Sequence, residues 1–203
     1  MFDITIINVA IYGVCFILFF YLAASLWCGK FISVDWRKLF LYITIFSLFG
    51  VVGEIFVNTL YGHFFGERLW EYHLYPVHDG HISKMFIFVW GSLGVYKYLS
   101  ETAFSKFRLY KKEHAGLIMS LEAVFLELWY NVTFFILFGS YIFYYFPANL
   151  GPLSHFSCLQ VLPFYFIFGF LVMKIVSREE KAGFSKTRLS FFWFILLTLV
   201  FLV

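Results

Sequence analysis

Between Leu128 and Met173 the chain runs for 46 residues without an aspartate, glutamate, lysine or arginine. Soluble domains carry about one charged residue in four, so a water-filled exterior cannot accommodate such a run. As one helix it would measure ~70 Å against a hydrocarbon core of ~30 Å. Pro147, Gly151 and Pro152 instead mark a turn between two helices. The rest of the chain behaves likewise: 62% of its 203 residues are hydrophobic, 25% aromatic and only 13% charged, and 31 are phenylalanine. Mean hydropathy is +0.84. Disordered, collagenous and nucleic-acid-binding classes are excluded by so few charges and so much apolar surface. The expected class is an all-α, polytopic membrane helix bundle, read as a single integral membrane domain over residues 1–203.

Six membrane helices are predicted, over residues 4–29, 39–61, 82–99, 115–138, 157–177 and 189–203. The first follows Asp3 rather than a basic segment and is long for a signal-peptide core, so it reads as a retained helix. The last has only 15 residues, ~22 Å of helix, and is short for a span. Basic residues collect in the loops after helices one, three and five: Lys30, Arg37 and Lys38, then Lys97 to Lys112, then Lys174 to Arg188. Only Arg68 and Lys84 fall elsewhere. The positive-inside rule then places those loops in the cytoplasm and both termini on the other side.

An internal repeat is visible in this map. Glu54 and Asn58 stand four apart on one helix face, as do Glu127 and Asn131. Each pair precedes an aromatic, proline-containing outer loop and a returning helix with a glycine, Trp90-Gly91 in one half and Phe168-Gly169 in the other. Both halves run outward and back, so the repeat is expected to be parallel, about an axis along the membrane normal. Carboxylates inside a bilayer are costly unless they face inward, pair or are protonated. Facing repeats would let Glu54 and Glu127 share a polar cavity open to the non-cytoplasmic side. Glu122, on another face, needs a different partner.

Other chemistry is thinly represented. Four of six histidines fall in residues 63–84 with three acids, but His78-Asp79-Gly80-His81 has no established ligand spacing, and no metal or cofactor is expected. Cys15, Cys28 and Cys158 lack a CxxC spacing and read as small apolar filler. No Walker, GxSxG or HExxH motif is present, so the chain itself does not hydrolyse ATP. Asn131-Val132-Thr133 has the form of a glycosylation sequon but lies inside a predicted helix.

Gly53-Glu54, Arg68-Leu69-Trp70-Glu71-Tyr72, Gly80-His81-Ile82-Ser83 and Trp90-Gly91 together resemble the ABC-transporter type IV family, also called CmpB-like. The resemblance is clearest over residues 45–98. That family's pattern is a helical Glu, then R-x-W-D-Y-S, G-R-I-C and W-G. This chain has Glu71 for the Asp, His73 for the Ser, His81 for the Arg and Ser83 for the Cys. The resemblance implies a transporter-like membrane component and groups Glu54, Trp70, Glu71, Tyr72 and His81 in one constellation.

The leading expectation is a permease-like or carrier component that binds a small molecule or lipid through Glu54, Asn58, Trp70, Glu71, Tyr72, His81, Glu127 and Asn131. Its expected partners are the bilayer, such a ligand, and other membrane proteins or further copies of itself, with no nucleic acid. Two other readings stay open: an intramembrane enzyme modifying a lipid or isoprenoid by Glu/His acid–base chemistry, and a structural membrane subunit.

Overall fold

The computed structural model describes residues 5–104 and 114–182, with residues 188, 191–193 and 195 beyond them. Five helices dominate: α1 Ile6–Cys28, α2 Trp36–Phe65, α3 Phe86–Phe104, α4 Ala115–Phe138 and α5 Leu162–Lys181. Thr5 caps α1 through a reciprocal pair with Asn8, and the Asp35 carboxylate caps α2 by accepting from the Arg37 and Lys38 backbone N–H groups. Gly66 and Gly139 end α2 and α4 in the left-handed conformation, with φ of +75° and +68°, where a side chain would be strained.

Four helices, α1, α2, α4 and α5, are long and apolar enough to cross a membrane. Their outer faces are what a bilayer requires: Leu26 is 81% exposed and Ile136 is 74% exposed, with many phenylalanines alongside. The helix α3 has a different composition because it has a different environment. Thirteen of its 19 residues are buried, including Gly91, Ser92, Gly94, Lys97 and Ser100. A helix enclosed by other helices needs small residues for close approach rather than a lipid-like exterior. Lys97 is therefore not a loop residue, as the charge map had it, but lies within α3. It is 1% exposed and bonded to Glu122 of α4 at 2.7 Å. That is the separate partner Glu122 was expected to have.

The helices pair as α2 with α3 and α4 with α5, and α1 lies against α3. Both seams are set by a glycine. A Cβ on Gly94 would lie 2.8 Å from the Tyr42 carbonyl oxygen, and one on Gly116 would lie 2.8 Å from that of Phe166. Gly50 leaves the space that the Trp90 ring occupies. From α1, the Tyr12 hydroxyl donates to the Tyr130 carbonyl of α4 at 2.7 Å and packs edge-on to the Tyr130 and Phe134 rings. At one end of the bundle Lys38 pairs with Glu180, and the Asp35 N–H donates to the Tyr98 hydroxyl at 2.8 Å.

At the other end the connections fold into short strands that hydropathy does not announce. β1, Trp70–Tyr72, pairs antiparallel with β4, Phe143–Tyr145, and β2, Pro76–Val77, with β3, Ile82–Ser83. Helix three was expected from residue 82, but Ser83 donates to the Leu74 carbonyl and accepts from the Met85 N–H, so α3 begins at Phe86. Helix five was expected from residue 157. Ser157 instead bonds to a carboxylate, a 3₁₀ turn covers Leu159–Val161, and α5 starts with Pro163 in its first turn. The predicted span 189–203 lies mostly outside the described residues, as do Lys106, Arg108, Lys111, Lys112 and Lys186.

Two glycines of similar helical context should separate cleanly. Gly94→Ala forces a methyl group into backbone and should cost about 1–3 kcal/mol. Nothing lies within 4 Å of a Cβ on Gly53, so Gly53→Ala should be neutral or stabilise by up to ~1 kcal/mol. Thermal unfolding in detergent micelles reads both.

Candidate functional site

Each of the helices α2 and α4 carries an amide that holds its own following loop. The Asn58 side chain donates to the Trp70 carbonyl at 2.9 Å and accepts from the Leu69 and Trp70 N–H groups at 2.9 and 3.3 Å. Asn131 donates to the Phe143 carbonyl at 2.7 Å and accepts from the Ile142 N–H at 3.0 Å. One turn earlier on each helix stands a carboxylate. The Tyr72 hydroxyl donates to Glu54, and the Tyr145 hydroxyl donates to Glu127 at 2.7 Å. Every member of the first set has its counterpart 73 positions later: Glu54 and Glu127, Asn58 and Asn131, Gly66 and Gly139, Leu69 and Ile142, Tyr72 and Tyr145.

The β1–β4 ladder joins the two stations. Trp70 lies opposite Tyr145, Glu71 opposite Tyr144, and Tyr72 opposite Phe143. With the 73-residue offset this register is self-complementary, because each residue faces the counterpart of the other end of its own strand. Side chains alternate along a strand, so Trp70 and Tyr72 face inward with Phe143's ring stacked edge-on to Tyr72. Glu71 points the other way.

Beneath the ladder, between the two helix pairs, lies a cavity of about 100 Å³. Glu54 and Glu127 line it, together with ten aromatic residues, Trp70, Tyr72, Trp90 and Tyr145 among them. Among the described residues no lysine, arginine or histidine is part of its wall. Both carboxylates are more than nine-tenths buried, yet they differ in their bonding. Glu127 accepts from three hydroxyls: Tyr145 and Tyr165 on Oε1, and Ser157 on Oε2 at 2.6 Å. Glu54 accepts from Tyr72 on Oε1, and its Oε2 has no hydrogen-bond partner. The Trp90 indole N–H, which lies near Glu54 and Tyr72, and the Tyr130 hydroxyl, which lies near Ser92, are buried on the cavity wall without a hydrogen bond of good geometry. Burial first, and then the adjacent carboxylate, pushes the Tyr72 and Tyr145 phenols well above their usual range, so they remain donors. Burial, followed by the Glu127 charge, pushes the Cys158 thiol up to about 12, in keeping with an inert, enclosed side chain.

Of the residues singled out from sequence, Glu54, Trp70, Tyr72 and Glu127 meet at the cavity. Asn58 and Asn131 do not reach it; their amides are saturated by loop backbone. Glu71 is part-exposed on the far face of β1, and no hydrogen bond or ion pair joins it to His81 among the described residues. His81 contributes its carbonyl, which accepts from the Trp70 indole at 3.1 Å. Its imidazole is shifted down, by burial first and then by the Arg68 charge. Trp90 appeared in sequence only as part of a Trp-Gly pair, and Tyr145 was legible in principle from the shared 18-residue spacing of Glu54–Tyr72 and Glu127–Tyr145. Tyr130, Ser157 and Tyr165 carried no local signal; tertiary packing alone delivers them. Among the described residues no group of histidine, cysteine and acid side chains has a geometry that holds a metal.

Comparison of the chain with family models, with curated proteins and with solved structures finds no match.

The two amides should be structural in effect. Asn58→Ala strands two buried backbone N–H groups, and Asn131→Ala at least one, at about 1–3 kcal/mol for each orphaned group. Both variants should lower the thermal midpoint, and hydrogen exchange should accelerate at residues 69–72 and 142–145 before it does in the helices.

Proposed function

We propose that this protein is a permease-like or carrier component of a membrane that binds a small molecule, or part of a lipid, in the cavity between its two helix pairs. The observation that carries the reading is the bonding of Glu54. A buried carboxyl oxygen and a neighbouring buried indole N–H, neither in a hydrogen bond of good geometry, are costly to keep. Such a cost is recovered when a ligand supplies the missing bonds. The aromatic wall supplies apolar contact, and the few polar groups set orientation, which is the usual make-up of a small-molecule site.

In this reading the two stations arose by duplication, and the self-complementary register of β1 and β4 supports a pseudo-two-fold between them. The central α3 crosses the membrane with the four apolar helices, and residues 189–203 supply a sixth span. The basic loops lie in the cytoplasm and the strand-bearing ends face the opposite side. The cavity, beneath those strands, is then reached from the non-cytoplasmic side. The transporter-like part of this reading is what the resemblance over residues 45–98 implies.

Duplication has left the stations unequal, and the inequality assigns their roles. Glu127, saturated by three hydroxyls, ties α4 to β4 and α5. Glu54 is the ligand-facing acid. Native mass spectrometry in mild detergent should find a small molecule retained by the wild type and lost from Glu54→Gln and from Gly53→Leu, whose side chain enters open space. Both variants should keep their thermal midpoint within a few degrees. Glu127→Gln should lower it by several degrees, since the amide removes the charge that all three donors face and turns one acceptor oxygen into an N–H donor. A mass retained equally by Gly53→Leu would put the molecule elsewhere and overturn the reading.

A further inference from the structure

The cavity wall is acidic: two carboxyl groups lie on it and, among the described residues, no basic side chain does. The buried cation nearest in sequence to this region, Lys97, is engaged with Glu122 at 2.7 Å. The other ion pairs, Lys38 with Glu180 and Arg188 with Glu179, belong to the opposite end of the bundle. A buried carboxyl group needs hydrogen-bond donors, a cation or a proton. Glu127 has donors on both oxygens, whereas Glu54 has one on Oε1 and none on Oε2.

We infer that the ligand of this cavity is a small organic cation, an ammonium carried on a short apolar group, with its N–H directed at Glu54 Oε2 and its apolar part against Trp70, Tyr72 and Trp90. This rests on the reading of the cavity as a binding site and adds the chemical class. Three physical terms select that class. An ammonium N–H on a carboxylate forms a charge-assisted bond, roughly twice as strong as a neutral one. Tryptophan and tyrosine faces attract cations, most strongly where water is excluded. An anion would meet two carboxylates in a medium that screens poorly. A neutral alcohol satisfies Oε2 without a charge-assisted bond. Size adds a bound: the cavity of about 100 Å³ is smaller than the ~150 Å³ cavity that takes benzene, so the enclosed head holds roughly five non-hydrogen atoms. An oxygen on the same molecule would meet the Trp90 N–H or the Tyr130 hydroxyl, neither of which makes a hydrogen bond of good geometry within the protein.

The test uses three branched probes of different charge: isobutylammonium and isobutanol, which match in shape, and isobutyrate, which has one more non-hydrogen atom. Each is titrated into the purified full-length protein in detergent at neutral pH, with tryptophan emission as the readout. Isobutylammonium should bind at least ~10-fold more tightly than isobutanol, and isobutyrate should not bind. Glu54→Gln should remove the preference for the ammonium, and Gly53→Leu should weaken the ammonium and the alcohol together. If the alcohol or the carboxylate binds as tightly as the ammonium, the cation assignment fails and the binding cavity stands. If none of the three binds at millimolar concentration, both fail. Should Glu54→Gln not fold, the comparison of probes on the wild type decides the matter by itself.

Discussion

A bilayer core offers no hydrogen bonds, so every polar group that the chain brings there must find its partner in the protein. The structure depends on how two asparagines meet that demand. Each stands on a membrane helix, Asn58 on α2 and Asn131 on α4, and each bonds both faces of its amide to the backbone of the loop that follows. The loops are thereby drawn back over the helices they leave. Without that attachment β1 and β4 would have no common position at which to pair. Tyr72 and Tyr145 would not reach Glu54 and Glu127, and the cavity would have no cover.

From this attachment the chemistry of the interior follows. The strands place one phenol on each carboxylate, and strand alternation turns Trp70 inward while turning Glu71 away. What distinguishes the two carboxylates comes from the returning segments. Ser157 and Tyr165 converge on Glu127 from the second half, whereas in the first half the Trp90 ring packs into the space left by Gly50 and its N–H goes unpaired. One station is closed and the other open, although the motifs that begin them are alike.

Elsewhere the interior is built for close approach. Gly94 and Gly116 allow the helices of each pair to touch backbone to backbone. The deep ion pair of Lys97 and Glu122 links α3 to α4. A pair so buried is weak evidence of net stability, since desolvation offsets much of its attraction. Its contribution is register between α3 and α4.

Much of this protein was legible as sequence. Runs of apolar residues too long for soluble helices gave the membrane class, and charges inside them pointed to Glu54 and Glu127, because a bilayer makes charge expensive and so makes its presence informative. The paired Glu and Asn spacing was equally visible, since the helical period relates residues four apart without any knowledge of the fold. What hydropathy could not show was the role of the asparagines, the β1–β4 ladder, the position of α3 at the centre of the bundle, or the third and second donors on Glu127. Those depend on contacts between segments far apart in the chain: Ser157 lies 30 residues from Glu127 and Tyr165 lies 38. Local pattern reports the medium around a segment. Only the tertiary structure decides which polar groups meet within that medium, and therefore which carboxylate is satisfied and which is left facing the cavity.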